Sequence, residues 1–134
     1  SYYQLSQILS DKRIRWGAYG DPSVIDPGIV LTLNKYAQGH TGYTHQWREE
    51  FASTYAGIFQ ASCDGFNDYL LATAKGWKTF TVVSKTVQPN YAKQCPATVQ
   101  HSAAQCITCK LCDGARSDVF VHAHGTGSKY VVAA

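Results

Sequence analysis

The stretch IFQASCDGFNDYLLATAKGWKTFTVV, residues 58–83, contains the pattern that decides the fold class. Residues 58–63 predict a strand, and residues 78–83, which are rich in β-branched and apolar side chains, predict another. Between them, residues at helical spacing mark one predicted helix face: Phe66, Tyr69, Leu70 and Ala74. Gly76 is typical of the end of such a helix. A strand, a helix and a strand in succession predict two parallel strands joined by a crossover.

The same alternation continues along the rest of the chain. Further strands are predicted over residues 13–19, 41–47 and 118–125. Further helices are predicted over residues 28–38, with Gly39 as the C-cap, and over 48–56, after an opening helix that ends near residues 10–11. We therefore expect an α/β fold of about five mostly parallel strands with short helices. Five such strands form either an open α/β sheet or a fragment of a barrel, and we expect a partial, half-barrel-like sheet with a Cys-rich metal-binding loop added to it.

Length and charge narrow the class of protein. The chain has 134 residues, so we expect residues 1–134 to form a single α/β domain. The formal net charge is +3 and no run of Lys and Arg exceeds two residues, so there is no clear nucleic-acid footprint. No apolar run approaches the length of about 18 residues that a membrane-spanning helix needs, and we expect no membrane partner.

Four of the five cysteines lie in QCPATVQHSAAQCITCKLCDG, residues 94–114, which we expect to be a metal-binding segment. The odd number of cysteines and the short gaps between them disfavour a disulfide framework. The last three, Cys106, Cys109 and Cys112, are separated by two residues each. This spacing lets three thiolates bind one [4Fe–4S] cluster from a single loop, with a fourth cysteine that is often followed by proline. Cys95, followed by Pro96, matches that fourth ligand.

Zinc is the alternative for the same segment. Structural zinc sites use four Cys or His ligands, commonly as two separated pairs. One pair would come from the triplet, and Cys95 with the remaining cysteine or His101 would complete the set. Gly114, just after the triplet, can relax the backbone beside a metal. The fifth cysteine, Cys63, stands at the end of a predicted strand and is expected to be a free buried thiol.

A second set of candidates lies where predicted strands end. Ligands of parallel α/β folds gather beyond the carboxyl ends of the strands, and Asp21, His45 and His124 are predicted there as candidate catalytic residues. His122 and His124 are two residues apart and so share one face of the last strand. The alternative is that Asp21 caps the following helix and that the histidines are hydrogen-bonded side chains without a catalytic role.

Several strings together resemble a known family. They are RIRWGAYGDPSV, HTGYTHQW, ASCDG, AKGWKTFTVV, the QCP and C-x2-C-x2-C array, and HAHGTGSKYV. They are similar to a family of uncharacterised phage and bacterial proteins related to the phage gene product 88 group. The resemblance implies a phage or bacterial origin in the host cytoplasm and a truncated, radical-SAM-like, cysteine-rich α/β barrel. Family members carry further cysteines in an N-terminal segment, so the resemblance also implies that this chain, which contains no Met, is the C-terminal part of a longer protein.

Three functions remain open from the sequence. The first is a phage-type domain that binds a metal, expected to be an iron–sulfur cluster, with an unknown reaction. The second is a redox or radical-type enzyme that uses the cluster on a small molecule bound at the strand ends. The third is a zinc-stabilised virion or host-interaction protein, since aromatic residues such as the nine Tyr of this chain are enriched at protein interfaces.

Overall fold

The computed structural model describes residues 2–17, 20–96 and 112–123. The α-helices are α1 (Tyr2–Leu9), α2 (Pro27–Tyr36) and α3 (Phe66–Ala74). Two 3₁₀ turns cover Pro22–Val24 and Glu50–Tyr55. The strands are β1 (Arg13–Arg15), β2 (Gly39–Thr41), β3 (Tyr43–Thr44), β4 (Gln60–Asp64), β5 (Thr79–Val83), β6 (Lys93–Gln94) and β7 (Val119–His122). None of these described helices is long and apolar enough to cross a bilayer.

The strands form parallel pairs throughout the described part of the chain. One sheet has five strands in the order β3-β4-β5-β7-β6, and β1 pairs with β2 in a second, two-stranded sheet. Gly42 alone separates β2 from β3, so the chain passes directly from the small sheet into the large one. The prediction of an α/β fold with a parallel sheet and short helices is confirmed.

The predicted first two strands are longer than the observed ones. The segment predicted as residues 13–19 is a strand only as far as Arg15, because Gly17 turns the backbone at a φ of +85°. The segment predicted as residues 41–47 leaves the sheet after Thr44, because the next N–H, that of His45, donates to the carboxylate of Asp21 instead of to a neighbouring strand. A glycine turn ends the first strand and a side-chain acceptor ends the second, although periodicity alone would extend both.

Two details of the helices also differ from expectation. Gly39 is not a C-cap: α2 ends at Tyr36, Ala37 is already extended, and Gly39 begins β2. The predicted core face of α3 is wrong, since Leu70 is 49% exposed, whereas the helix packs through fully buried Ala72. A small side chain at the contact lets the helix approach the strands closely, and this outweighs the burial of a larger one.

The large sheet has two faces with different coverings. On the helix face, Ala61 and Cys63 of β4 pack with Ala72, and the cluster continues to Trp47 and Phe59. On the other face, alternate residues of β5 and β7 pack with two cysteines: Phe80, Val82, Val119 and Val121 contact the cluster of Cys95 and Cys112. We call this second side the cysteine face, because the cysteine-rich segment returns to the sheet there.

Candidate functional site

Cys95 and Cys112 lie far apart in the sequence but belong to one buried cluster on the cysteine face. Each is 8% exposed, and both pack with Val119 and Val121. Cys95 follows β6 directly, and its N–H donates to the carbonyl oxygen of Phe120 at 2.9 Å, which extends the β6–β7 pairing by one residue. The fold therefore brings together the first and last cysteines of the predicted ligand set.

The other predicted ligands, Cys106 and Cys109, and the alternative ligand His101 lie outside the described residues, as does His124. Within residues 2–17, 20–96 and 112–123, no group of three or more potential metal ligands occurs. The predicted metal site accordingly stays a prediction. The described half of the ligand set nonetheless fits a buried thiolate site, because two thiols share an apolar and largely water-free setting.

Gly114 fixes the position of Cys112. Its φ is +83°, a left-handed conformation that favours glycine. A Cβ added at this residue would lie 2.5 Å from the carbonyl carbon of Ile58 and 2.6 Å from the nitrogen of Phe59. The segment that carries Cys112 therefore packs backbone to backbone against the approach to β4. The sequence predicted only that Gly114 relaxes the backbone beside a metal. In the structure Gly114 is a docking point, at which this segment packs against the backbone of Ile58 and Phe59.

A cavity of about 590 Å³ lies at the carboxyl ends of β1 and β3. Its lining consists of Arg15, Trp16, Gly17, Gly20, Asp21, Tyr43 and His45. Tyr43 also packs on Phe80, with ring centroids 4.5 Å apart, and so belongs to the edge of the cysteine cluster. We call this space the rim cavity. It places the predicted candidates Asp21 and His45 together and connects them, through Tyr43, to the cysteine face.

Asp21 ties the loop after β1 to the end of β3. Its Oδ1 accepts hydrogen bonds from the N–H and hydroxyl of Ser23 and from the hydroxyl of Thr44, at 2.7–3.0 Å. Its Oδ2 accepts from the N–H of His45 at 2.8 Å. Burial raises the pKa of this carboxyl, but the donors of Ser23, Thr44 and His45 outweigh burial, so the pKa lies below its ordinary value. The geometry thus assigns Asp21 a positioning role. It is the N-cap of the 3₁₀ turn Pro22–Val24, and it also joins that turn to Thr44 and His45 at the end of β3.

The two described histidines near strand ends differ in their surroundings. His45 is exposed and its ring lines the rim cavity. His122 is partly buried, and its Nε2 lies 2.7 Å from the carbonyl oxygen of Val87, which matches the expectation of a hydrogen-bonded histidine. On the side of the last strand opposite His122, Val119, Val121 and Ala123 are all buried. Phe120, on the opposite side, is buried as well, so β7 is covered on both faces.

Cys63 is a buried free thiol, as the sequence predicted. Burial and the nearby carboxylate of Asp68 raise its pKa to about 12, and the Arg48 guanidinium offsets only part of this. Since the thiolate is the reactive form, Cys63 is expected to be inert in the folded protein.

Alkylation tests this property of Cys63. At about pH 8, where an ordinary thiol is partly ionised, iodoacetamide should leave Cys63 of the native protein unmodified and should modify it once urea unfolds the chain. Peptide mass mapping of both samples measures the difference. Equal modification of Cys63 in the native and unfolded samples would contradict the assignment.

Three cavity residues were not predicted from the sequence: Arg15, Trp16 and Tyr43. Tyr43 and His45 are two residues apart, a spacing that in an extended segment places two side chains on one side, so a signal for Tyr43 was present in the sequence. The contribution of Arg15 depends on the pairing of β1 with β2, which places Arg15 beside Thr41. That pairing leaves no local mark in the sequence.

Comparison with known proteins adds no relative. No family model matches the chain, and neither the curated proteins nor the solved structures contain a match.

Proposed function

We propose that this chain is a metal-binding α/β domain of phage type that holds an iron–sulfur cluster, expected to be [4Fe–4S], through Cys95, Cys106, Cys109 and Cys112. The observation that supports the proposal most directly is the packing of Cys95 and Cys112 in one buried cluster. Two cysteines packed in one apolar cluster are a suitable start for a metal site, because the hydrophobic shell around such a site controls the access of solvent. The C-x2-C-x2-C spacing supplies the remaining ligands from one loop.

The neighbouring side chains suit such a group. When bound, an iron–sulfur cluster supplies one-electron transfer, and its potential depends on burial and on hydrogen bonds to its sulfur atoms. Val119 and Val121 exclude water beside both described cysteines, and Phe80 and Val82 extend this apolar wall. The backbone hydrogen bond from Cys95 to Phe120 holds the first ligand on the edge of the sheet. Zinc would use the same donors and is the alternative metal.

A redox or radical-type enzyme is the second candidate function. The rim cavity favours it, because Tyr43 lines the cavity and also packs against the cluster that contains both cysteines. A small molecule in the cavity would then contact a ring that also packs against the cysteine cluster. Phage origin and a place in the host cytoplasm belong to the proposal through the family resemblance alone.

Anaerobic purification followed by metal analysis tests the proposal. We expect a brown protein with visible absorption, containing iron and acid-labile sulfide. Cys95→Ser and Cys112→Ser should each remove most of the iron, whereas Cys63→Ser, which changes a buried thiol outside the ligand set, should retain it. The zinc alternative predicts a colourless protein with zinc in place of iron, and that result would overturn the cluster.

The same preparation separates the two functions. If dithionite bleaches the visible spectrum, the redox function gains support. An unchanged spectrum under dithionite, in a protein that unfolds when the metal is removed, would leave the metal a structural role only.

A further inference from the structure

Arg15, which lines the rim cavity, is a positively charged side chain that forms no ion pair with the described residues. Arg15 is exposed at the end of β1, and none of the ion pairs formed by the described side chains involves it. Its guanidinium carries five N–H donors in a fixed plane, which match a carboxylate or phosphate group in geometry. An unpaired guanidinium on the wall of a cavity therefore points to an anionic ligand.

The carboxylate of Asp21, which also lines the rim cavity, is engaged by other groups and does not form an ion pair with Arg15. Both of its oxygens already accept hydrogen bonds, three on Oδ1 and one on Oδ2, from Ser23, Thr44 and His45. These donors occupy both oxygens and hold the carboxylate at the end of β3, and Arg15 forms no ion pair with it among the described side chains. Arg15 and His45 are consequently the side chains of the described lining whose nitrogen donors remain to meet a ligand.

Two aromatic rings complete the side-chain lining that the described residues provide, and both are held in place. The Nε1–H of Trp16 donates to Oδ1 of Asn34 at 2.8 Å, which anchors the indole to α2. The ring of Tyr43 packs on Phe80. Preformed aromatic walls with a few polar groups are typical of small-molecule sites, and the volume of about 590 Å³ lies in their usual range.

We propose that the rim cavity is a binding site for a small organic anion, with a carboxylate or phosphate head group on a flat apolar body. Arg15 binds the head group through two parallel N–H donors. Trp16 and Tyr43 contact the flat body, and His45 donates a further hydrogen bond to the anion. The proposal depends on the cavity alone and not on which metal the cysteines hold.

Matched small probes test this site on the protein as purified. Phenyl phosphate and benzoate carry the two head groups on one flat ring, and phenol and benzyl alcohol are their neutral counterparts. We expect at least one anion to bind saturably in calorimetric titration, about tenfold or more tighter than its neutral counterpart. The amide signals of Gly17 and Gly20 and the indole N–H signal of Trp16 should shift with the same titration curve.

Charge variants identify the residue responsible. Arg15→Gln should weaken binding of the preferred anion about tenfold or more, with unchanged circular dichroism and melting temperature. Lys75→Gln, which removes one positive charge at the end of α3, should bind like the wild type. Preference for phenyl phosphate over benzoate would assign the head group as phosphate, and the reverse as carboxylate. Equal binding of anion and neutral counterpart, or equal binding by wild type and Arg15→Gln, would overturn the proposal.

Discussion

Gly114→Ala is expected to lower the free energy of unfolding by about 3 kcal/mol or more, since two costs add at this residue. A side chain at a φ of +83° is strained, at a cost of about 1 kcal/mol or more. The new Cβ also meets the backbone of Ile58 and Phe59 at 2.5–2.8 Å, where no flexible side chain can move away. The segment that carries Cys112 must shift, so the proposed metal site should be disturbed together with the fold.

Gly57→Ala is the matched control for this prediction. Gly57 has a φ of +93°, but a Cβ there meets nothing within 4 Å. It therefore reports the conformational cost alone, about 1 kcal/mol. Urea unfolding of both variants measures the difference, which we expect to be about 2 kcal/mol, and metal content of the folded fractions measures the effect on the site. Equal losses of stability in the two variants would show that Gly114 is not a docking point.

Asp21→Ala should have the second largest effect, a loss of about 2–4 kcal/mol in the free energy of unfolding. The change removes four hydrogen bonds to a carboxylate, two of which join the loop after β1 to Thr44 and His45. Asp26→Ala is the control, because the Asp26 carboxylate accepts one local hydrogen bond, from the N–H of Gly28. Loss of that helix cap costs about 1 kcal/mol. Urea unfolding that gave the same loss for both would contradict a long-range tie.

The same carboxylate makes stability depend on pH in a definite direction. Its folded-state pKa lies below the ordinary value of 3.8, so the stabilisation is present above about pH 4 and is lost as the pH falls through the folded-state value. Asp21→Asn cannot titrate at this position. The difference in unfolding free energy between wild type and Asp21→Asn should therefore be large near neutral pH and should shrink below about pH 4. A difference that stayed constant over this range would contradict the assignment.

The sequence predicted the parallel sheet because the signals for it are local. The order of strand, helix and strand in residues 58–83 follows from side-chain patterns within single elements, and all three elements occur there. The signal that ends α3 is equally local, because Gly76 has a φ of +89°, which favours glycine. β6 was missed because two residues, Lys93–Gln94, carry no periodicity.

The candidate site also has one part that local sequence predicts and another that depends on tertiary contacts. The spacing of Cys106, Cys109 and Cys112 predicts a shared metal from the chain alone, since neighbouring ligands need no fold to lie near one another. The packing of Cys95 beside Cys112, in contrast, depends on the pairing of β6 with β7. The rim cavity, where Arg15 lies with Tyr43 and His45, depends on the positions of three short strands. The sequence by itself thus determined the element types, the parallel sheet and the ligand spacing. Tertiary structure decided which strand ends share a cavity and which face of α3 is buried, because those outcomes depend on contacts between residues far apart in the chain.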